Sequence, residues 1–485
     1  MNTALVLFTR DLRVHDQAAL AAAVREAEHV VPLFVFDEQL LGGRCAAANR
    51  LAFLLDSLAD LDRSLRERGA RLIVRRGDVV RETVRLARSS GAEAIYMSED
   101  VSAYARGRHA RLSRACERER IQLRAFPGVT VVPAGALTPS GGGDHYRVFT
   151  PYFHAWSALP RFERAATPRR VSLPDGIRGG KLPSLKSLLR PGDAPSPELP
   201  AGGEQAGLTQ LKRWLPRGLG EYEERHDDLA GDRTSHLSPF LHFGCLSPAT
   251  VLARAEGRPK AEAGNAEGRG GRGRGPGQRA GERDGERPSA GAEAFARQLC
   301  WRDFHHQVLA ARGDLPYADY RPRGDRWRKS KRLTEAWQAG QTGYPIVDAG
   351  MRQLAREGYV HNRARLIVAS FLSKLLYIDW RAGAAHFDAL LVDADLANNV
   401  GNWQWVAGTG NDTRPNRVLN PIRQAHRFDP DGEYVRRYVP ELSGVAGRAI
   451  HEPWRLPAAQ RRGLDYPKPI VDHIAAAEEL RRRRG

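Results

Sequence analysis

The sequence predicts two folded parts, an α/β domain with a doubly wound parallel sheet followed by an all-α domain. Three observations favour this fold class. The chain has 485 residues, which is more than one hydrophobic core usually accommodates. Short β-branched runs alternate with helical segments up to residue 130, and almost every periodic segment after residue 205 has a helical composition.

The first domain, predicted over residues 1–130, alternates in this way from its beginning. Apolar runs that predict buried strands lie at residues 3–8, 30–36, 71–76, 93–99 and 121–127. Helical segments lie between them, among them residues 16–29, 46–68 and 78–91. Strands and helices at this spacing predict a parallel sheet, in which ligands bind at the carboxyl ends of the strands.

The rest of the chain divides by composition. Residues 131–204 are rich in Pro, Gly and Ser and predict an interdomain linker. The all-α domain is predicted over residues 205–485. Within it, residues 256–291 are dense in Gly, Arg and Glu and poor in apolar side chains. Such a segment buries too little surface to offset its ordering entropy, so we expect a disordered insert.

Charge and cysteine content narrow the function classes. The formal net charge is +18 and the pI is ≈ 10.2, which favours polyanionic partners, chiefly nucleic acid. The cysteines, Cys45, Cys116, Cys245 and Cys300, are too far apart for a zinc motif or a redox pair, which is typical of a reduced, cytoplasmic protein. The N-terminal apolar run is short and ends at Arg10, so we expect neither a signal peptide nor a membrane span.

The segment NNVGNWQW, residues 398–405, places polar amides beside two tryptophans. On a helix, Trp403 and Trp405 would point about 200° apart and face different environments. Both rings could be ordinary core aromatics. The nearby acids Asp393 and Asp395 favour another interpretation, because buried polar groups need hydrogen-bond partners and the edge of a heteroaromatic cofactor supplies them.

With its flanks, this segment resembles the flavin-binding signature of the photolyase/cryptochrome family. Further family motifs occur in order: TRDLRVHD at 9–16, TSHLSPFLHFGCLSP at 234–248, QLCWRDF at 298–304, TGYPIVDAGMRQL at 342–354 and HNRARLIVASFLSKLLYIDWR at 361–381. The resemblance covers nearly the whole chain except the linker and the insert, and it is strongest to the class I DNA photolyases. It implies a monomeric enzyme that binds ultraviolet-damaged DNA and splits cyclobutane pyrimidine dimers, using blue light and electron transfer from reduced FAD, without a metal.

The resemblance also implies roles for individual residues. It places FAD contacts at Tyr222, Thr234, Ser235, Ser238, Arg302, Arg365, Asp393, Asp395 and Asn399. In the family, the hydroxyls of this set face the phosphates, Arg365 and Asp393 match an ion pair over the flavin ring, and Asn399 matches the residue that faces flavin N5. The predicted catalytic residues are Asn399 and the tryptophans of an electron relay, Trp403, Trp380 and Trp327.

The implied substrate contacts bear on which lesion is repaired. They are Gln298, Trp301, Asn362, Arg363, Leu366, Trp405 and Arg417, with the two tryptophans as apolar walls and the two arginines as phosphate clamps. Gln298 stands where many cyclobutane-dimer enzymes have Glu, and Leu366 where many have Met. The six-four photolyase branch would have histidines at positions 362 and 366, so cyclobutane dimers are the favoured lesion.

Other functions stay open. A six-four photolyase and a cryptochrome photoreceptor without repair share the fold, and the short tail after the helical domain speaks against the photoreceptor. A basic nucleic-acid-binding protein without chemistry would purify without flavin. For the antenna, Arg50 and Asp100 match positions that bind 8-hydroxy-5-deazaflavin in some family members, and methenyltetrahydrofolate is the alternative chromophore.

Overall fold

The computed structural model describes residues 1–43, 46–160, 163–257 and 289–484. An N-terminal domain is built on a parallel sheet, and all of the remaining elements are helical within these ranges. The predicted fold class is confirmed. No helix in the described ranges has the length and apolar character that crossing a membrane requires.

The sheet has five strands in the order β3-β2-β1-β4-β5, and every neighbouring pair is parallel. The strands are β1 Thr3–Phe8, β2 His29–Asp37, β3 Ile73–Gly77, β4 Ala94–Ser98 and β5 Gln122–Phe126. From β1, the strands β2 and β3 are added on one side and β4 and β5 on the other, so the strand order reverses between β1 and β4. Parallel sheets bind ligands at such a switch point, outside the carboxyl ends of the strands.

Helices cover both faces of the sheet. They are α1 Ala18–Glu26, α2 Glu38–Leu41, α3 Ala48–Arg66, α4 Val79–Ser89 and α5 Ala103–Glu119. All six residues of β1 are buried. Leu5 and Leu7 pack in one core with α4 and α5, whereas Val6 and Phe8 pack in the core that contains α1 and α3 and continues into the helical domain. This alternation follows from the two-residue period of a strand, and it explains why the strands read as continuous apolar runs.

Residues 131–204 are more ordered than a simple linker. They contain α6 Phe149–Ala158 and α7 Leu185–Leu188. Asp303 is 1% exposed and accepts hydrogen bonds from the backbone N–H groups of Val131 and Val132 and from the indole N–H of Trp156. The first part of the predicted linker is therefore fastened to the helical domain.

The helical domain begins at α8, close to the predicted boundary. Its helices are α8 Glu204–Gly218, α9 Tyr222–Arg225, α10 Ser238–His242, α11 Pro248–Ala255, α12 Ala290–Ala311, α13 Lys331–Gln338, α14 Pro345–Glu357, α15 Asn362–Ser370, α16 Trp380–Leu390, α17 Leu396–Ala407, α18 Pro421–Phe428, α19 Glu433–Tyr438, α20 Ala458–Arg461 and α21 His473–Arg484. A π-helical turn, Phe371–Leu375, extends α15.

The predicted insert at 256–291 lies mostly outside the described residues, which omit 258–288. Its predicted C-terminal boundary is wrong by a few residues. Ser289 accepts a hydrogen bond from the backbone N–H of Ala292 and caps α12, so Ala290 and Gly291 are already helical.

Candidate functional site

The helical domain contains a cavity of ≈ 400 Å³, which we call the central cavity. It lies between α9, α10, α12, α15 and one side of α17. Most of the residues predicted from separate motifs line it: Tyr222, Thr234, Ser235, Ser238, Gln298, Trp301, Arg302, Asn362, Arg363, Arg365, Leu366, Asp393, Asp395 and Trp405. A smaller cavity of ≈ 70 Å³ adjoins it, shares Arg365 and Asp393, and is lined by Asn399 and Trp403.

Helix α17 divides its side chains between the two cavities. Asp395 caps the helix by accepting a hydrogen bond from the backbone N–H of Asn398. Trp405 lines the central cavity, whereas Trp403 is 2% exposed and lines the smaller one. The two tryptophans thus face different environments, as their spacing on a helix predicts.

A charged pair lies where the two cavities meet. Arg365 Nη2 donates to Asp393 Oδ2 over 2.9 Å, and its Nε donates to the Val360 carbonyl over 2.7 Å. The Ser238 hydroxyl also donates to Asp393 Oδ2. Asp393 Oδ1, by contrast, is buried and has no hydrogen-bond partner among the described residues. A buried, unpaired carboxylate oxygen at a cavity wall indicates that a ligand donor belongs there.

A second charged cluster joins this cavity to the sheet domain. Arg10 donates to Asp395 and, over 3.2 Å, to Asp100, and His306 Nε2 lies 3.4 Å from Asp395. Burial by itself raises the pKa of Asp395, but His306, Arg10 and Arg302 outweigh burial and hold this pKa well below its usual value. Asp395 is therefore a carboxylate at neutral pH and can only accept hydrogen bonds.

Buried groups on α10 and α12 complete this side of the cavity. Arg302 donates to the backbone carbonyls of Val129 and Leu241. Burial lowers the pKa of His305 to about 4 and that of His242 well below its ordinary value, so both imidazoles are neutral at neutral pH. Helix α17 packs tightly here, because a Cβ atom on Gly401 would lie 2.2 Å from His305 Nδ1.

Hydroxyl side chains also line the central cavity. Thr234, Ser235 and Ser238 lie in the turn that enters α10, and Tyr222 lies on α9. The turn is held in place by Gln210, whose side-chain amide donates to the Ser235 carbonyl over 2.8 Å. Hydroxyls and free backbone N–H groups at the start of a helix are suited to binding phosphate.

Two aromatic rings form the apolar walls. Trp405 lies under the guanidinium of Arg417, whose Cζ is 5.2 Å from the ring centroid. Trp301 stacks face to face on Phe149, with centroids 3.7 Å apart and ring planes at 2°. Sequence reasoning missed Phe149, because it lies in the predicted linker and no local pattern connects it with Trp301.

The two predicted phosphate clamps differ in their surroundings. Arg363 is already paired, since its Nε donates to Asp227 over 3.1 Å and its guanidinium lies over Phe428. Arg417 is exposed and does not line the central cavity. Within the described part of the chain, no carboxylate forms an ion pair with Arg417. Arg417 is therefore better placed than Arg363 to contact a phosphate.

The three tryptophans of the predicted relay, Trp403, Trp380 and Trp327, have different surroundings. The Trp403 ring rests on α16 at Gly383, where an added Cβ would lie 2.1 Å from it, one helical turn from the buried Trp380. Trp380 donates its indole N–H to Asp319 over 2.9 Å. Trp327, at the partly exposed end, contacts Tyr377, with ring centroids 5.0 Å apart.

Another ring also contacts Trp403. Trp337 meets it edge to face, with a centroid distance of 6.0 Å. Trp337 is fully buried and donates to the Val368 carbonyl. Sequence reasoning did not single it out, because an isolated tryptophan on α13 is typical of a core residue.

The predicted antenna residues, Arg50 and Asp100, are used differently. Asp100 lines a separate cavity of ≈ 290 Å³ at the carboxyl ends of β4 and β5, which we call the strand-end cavity. Arg50 is not among the residues that line it. Its guanidinium donates to the backbone carbonyls of Asp388 and, over 3.2 Å, of Leu391 at the end of α16. The structure thus places Arg50 in the contact between the two domains.

Comparison with protein families agrees with this geometry. The family model described as the FAD binding domain of DNA photolyase matches residues 295–484, and that described as DNA photolyase matches residues 4–171. A deoxyribodipyrimidine photo-lyase of Streptomyces griseus is 49% identical over 486 residues, covering 100% of both chains.

Solved structures show the same architecture. A bacterial class III photolyase from Agrobacterium tumefaciens superimposes with a TM-score of 0.88 at 33% identity, covering 100% of this chain and 97% of that one. An archaeal photolyase from Sulfolobus tokodaii, solved with two FAD molecules, gives a TM-score of 0.81 at 29% identity and covers 99% of each chain.

Proposed function

This chain belongs to the photolyase/cryptochrome family, and we propose that its substrate is the cyclobutane pyrimidine dimer in ultraviolet-damaged DNA. Light-driven DNA repair by an FAD-binding photolyase follows from the family and from its full-length relative. The choice of lesion and the route of the electron are our proposals. The supporting observation is the central cavity, where two tryptophan walls lie beside the polar groups assigned to FAD.

The residues present fit FAD. Asp393 Oδ1 is a buried acceptor without a partner in the described structure, Asp395 is a second acceptor held as a carboxylate, and hydroxyls also line the cavity. We assign Asp395 to the N–H group at the polar edge of the flavin, the Arg365–Asp393 pair to the face of the flavin ring, and the hydroxyls to the phosphates. The chemistry that FAD supplies when bound is the light-driven donation of one electron.

Asn399 would hold the electron donor in its reduced state. Its Nδ2 donates to the Ala384 carbonyl over 3.0 Å, which orients the amide. The Oδ1 atom then remains as an acceptor for an N–H group, such as the one at position N5 of a reduced flavin. An amide adds no charge, so it does not oppose a negative charge on the ring.

The lesion would leave the duplex and enter between Trp301 and Trp405. A damaged, poorly stacked base pair is flipped out at a smaller cost than an intact one. Gln298 and Asn362 also line the central cavity and offer both donors and acceptors, and Leu366 adds apolar surface. The six-four alternative is disfavoured because positions 362 and 366 are not histidines. His361 does not line the cavity and instead caps α15, its Nδ1 accepting from the backbone N–H of Arg363.

We further propose that Trp403, Trp380 and Trp327 conduct electrons inward from the surface to restore the reduced cofactor. The contact of Trp403 with α16, next to Trp380, supports this order. The antenna site is a separate proposal. Asp100 in the strand-end cavity supports binding of 8-hydroxy-5-deazaflavin there, with methenyltetrahydrofolate or a second FAD as alternatives. The proposal includes a cytoplasmic monomer that acts on DNA.

A light-dependent repair assay tests the proposed substrate. Chemically reduced holoenzyme is given oligonucleotides that contain either a cyclobutane dimer or a six-four photoproduct, with dark samples as controls. We expect repair of the cyclobutane dimer in light only. Repair of the six-four product would overturn the choice of lesion, and repair of neither by flavin-loaded protein would favour the photoreceptor function.

A further inference from the structure

The back of the Trp301 ring is covered by a residue from outside the helical domain. Phe149, the first residue of α6, lies parallel to Trp301 at a centroid distance of 3.7 Å. The ring edge of Trp301 meets Phe304 at 5.5 Å. One face of the indole is therefore occupied. The His305 ring, one turn later on α12, also lies near the indole at a centroid distance of 5.7 Å, and the remaining surface of Trp301 can be presented to the central cavity.

The segment that leads into α6 is held by α12. The side-chain amide of Gln307 on α12 binds both backbone groups of Tyr146, accepting from its N–H over 2.9 Å and donating to its carbonyl over 2.8 Å. Gln307 itself is 4% exposed, and the paired contact is partly buried. The helix that presents Trp301 thus also fixes the segment that presents Phe149.

Arg297 closes the outer side of this aromatic stack. Its Cζ lies 4.9 Å from the ring centroid of Phe149 and 4.7 Å from that of Phe153, one turn later on α6. A guanidinium over an aromatic face is attracted by the ring. The order from solvent to cavity is therefore Arg297, then Phe149, then Trp301.

We propose that Phe149 is a positioning residue for lesion recognition, which locks the Trp301 indole in the orientation that stacks on the flipped dimer. The inference rests on the proposed function, in which Trp301 is a wall of the lesion pocket. A ring that is already fixed loses little rotamer freedom when a base stacks on it, so preorganisation favours binding. Phe149 would act on affinity for the lesion and not on the light-driven step.

The test is a comparison of dissociation constants measured in the dark with holoenzyme, using one duplex that contains a cyclobutane dimer and the same duplex undamaged. Ordering one side chain on binding carries a cost equivalent to about two- to tenfold in affinity. We expect Phe149→Leu to weaken lesion binding by this factor, with undamaged-DNA binding and the repair rate of saturated enzyme unchanged. Phe149→Tyr, which keeps the ring, should restore lesion binding.

Phe153→Leu is the matched control, because Phe153 lies on the same helix under the same arginine. Its ring packs on Phe149 at a centroid distance of 5.9 Å but does not stack on Trp301 in the described structure. We expect it to match the wild type. A general effect on folding is separated by a double-mutant cycle. In a Trp301→Ala background, Phe149→Leu should cause no further loss of lesion selectivity, whereas a folding defect would persist.

The outcomes separate the two proposals. If Trp301→Ala lowers lesion selectivity and Phe149→Leu does not, the role of Phe149 is overturned while the lesion pocket stands. If Trp301→Ala leaves selectivity unchanged, the assignment of the lesion wall fails, and the role of Phe149 fails with it. Equal losses from Phe149→Leu and Phe153→Leu would also overturn the specific role of Phe149.

Discussion

The central cavity and the strand-end cavity show two ways in which family-matched residues are used. Residues from several distant motifs meet in the central cavity, where their polar atoms face one space. The two predicted antenna residues of the sheet domain behave differently. Asp100 lines the strand-end cavity, whereas Arg50 binds the end of α16. Several polar residues from family motifs therefore predict a ligand site more reliably than one or two charged residues that match family positions at a domain boundary.

The largest expected effect tests whether the central cavity is a ligand site at all. Arg365→Ala leaves the buried Asp393 carboxylate without its guanidinium, and we expect a loss of about 3 kcal/mol in stability to unfolding. We also expect FAD content to fall by about tenfold or more, because the variant removes the charged hydrogen bond that holds Asp393 in the position assigned to a flavin contact. Urea unfolding and the ratio of flavin to protein absorbance measure the two effects.

The double variant Arg365→Ala with Asp393→Ala is the control for this pair. Removing both charges should recover most of the lost stability, because no uncompensated ion remains. FAD binding should stay weak. Recovery of full FAD binding by the double variant would show that the pair is only structural, and the contrast between the two cavities would then disappear.

The two domains also differ in their sensitivity to acid. In the described part of the chain, the histidines whose pKa burial lowers to about 4 all lie in the helical domain: His305, His361, His386 and His451. Each takes up a proton in the unfolded chain below about pH 6.5 but not in the folded one, so the contribution of these four groups to stability falls as the pH drops from about 6.5 toward 4. Asp429, whose pKa burial raises to about 6, contributes with the opposite sign below that pH.

His386 is suited to testing this, because it lies outside both cavities and contacts the Trp337 ring at 5.5 Å. We expect His386→Phe to reduce the dependence of the unfolding free energy on pH in this window by up to about 1.4 kcal/mol per pH unit, the equivalent of one proton. Urea titrations at a series of pH values measure it. An unchanged pH dependence would contradict the buried, neutral state of His386.

The predicted relay tests the difference between the two tryptophans of α17, of which Trp403 lines the smaller cavity and Trp405 the central cavity. We expect Trp403→Phe to slow photoreduction by about tenfold or more, equivalent to about 1.4 kcal/mol on the barrier. Repair by chemically reduced enzyme should be spared. Trp337→Phe is the matched control, because this ring contacts Trp403 but is fully buried and does not lead to the surface through the predicted relay. Equal slowing in both variants would contradict the assigned route.

The two arginines proposed as phosphate clamps should separate in a salt titration. We expect Arg417→Ala to reduce the slope of log K against log salt by about 0.9, the contribution of one phosphate contact. Arg363→Ala should change this slope less, because Arg363 is already neutralised by Asp227. Dark binding of undamaged duplex over a range of salt concentrations measures both slopes. The reverse order would restore Arg363 as the main clamp.

The sequence predicted the sheet domain well, because its strands are buried on both faces and its helices have strong periodicity. The bounds of β1 match the apolar run at 3–8. The residues of the central cavity were predicted from family motifs. These residues are far apart along the chain, so their contacts with one another cannot be read from the sequence. The role of Phe149 could not be predicted from motifs. Phe149 lies in the predicted linker and Trp301 on α12, so their stacking depends on tertiary packing alone.

The smallest expected effect concerns Arg50, the residue whose predicted role and observed contacts differ most. Its guanidinium donates to carbonyls at the C-terminus of α16, where a cation also interacts favourably with the helix dipole. We expect Arg50→Met to lower the unfolding free energy by about 0.5–1 kcal/mol and to leave antenna binding, followed by absorbance after adding 8-hydroxy-5-deazaflavin, unchanged. Asp100→Asn should instead weaken antenna binding. If Arg50→Met abolished antenna binding without affecting stability, the strand-end site would include both predicted antenna residues. Family positions would then predict the ligand contacts of the two cavities equally well.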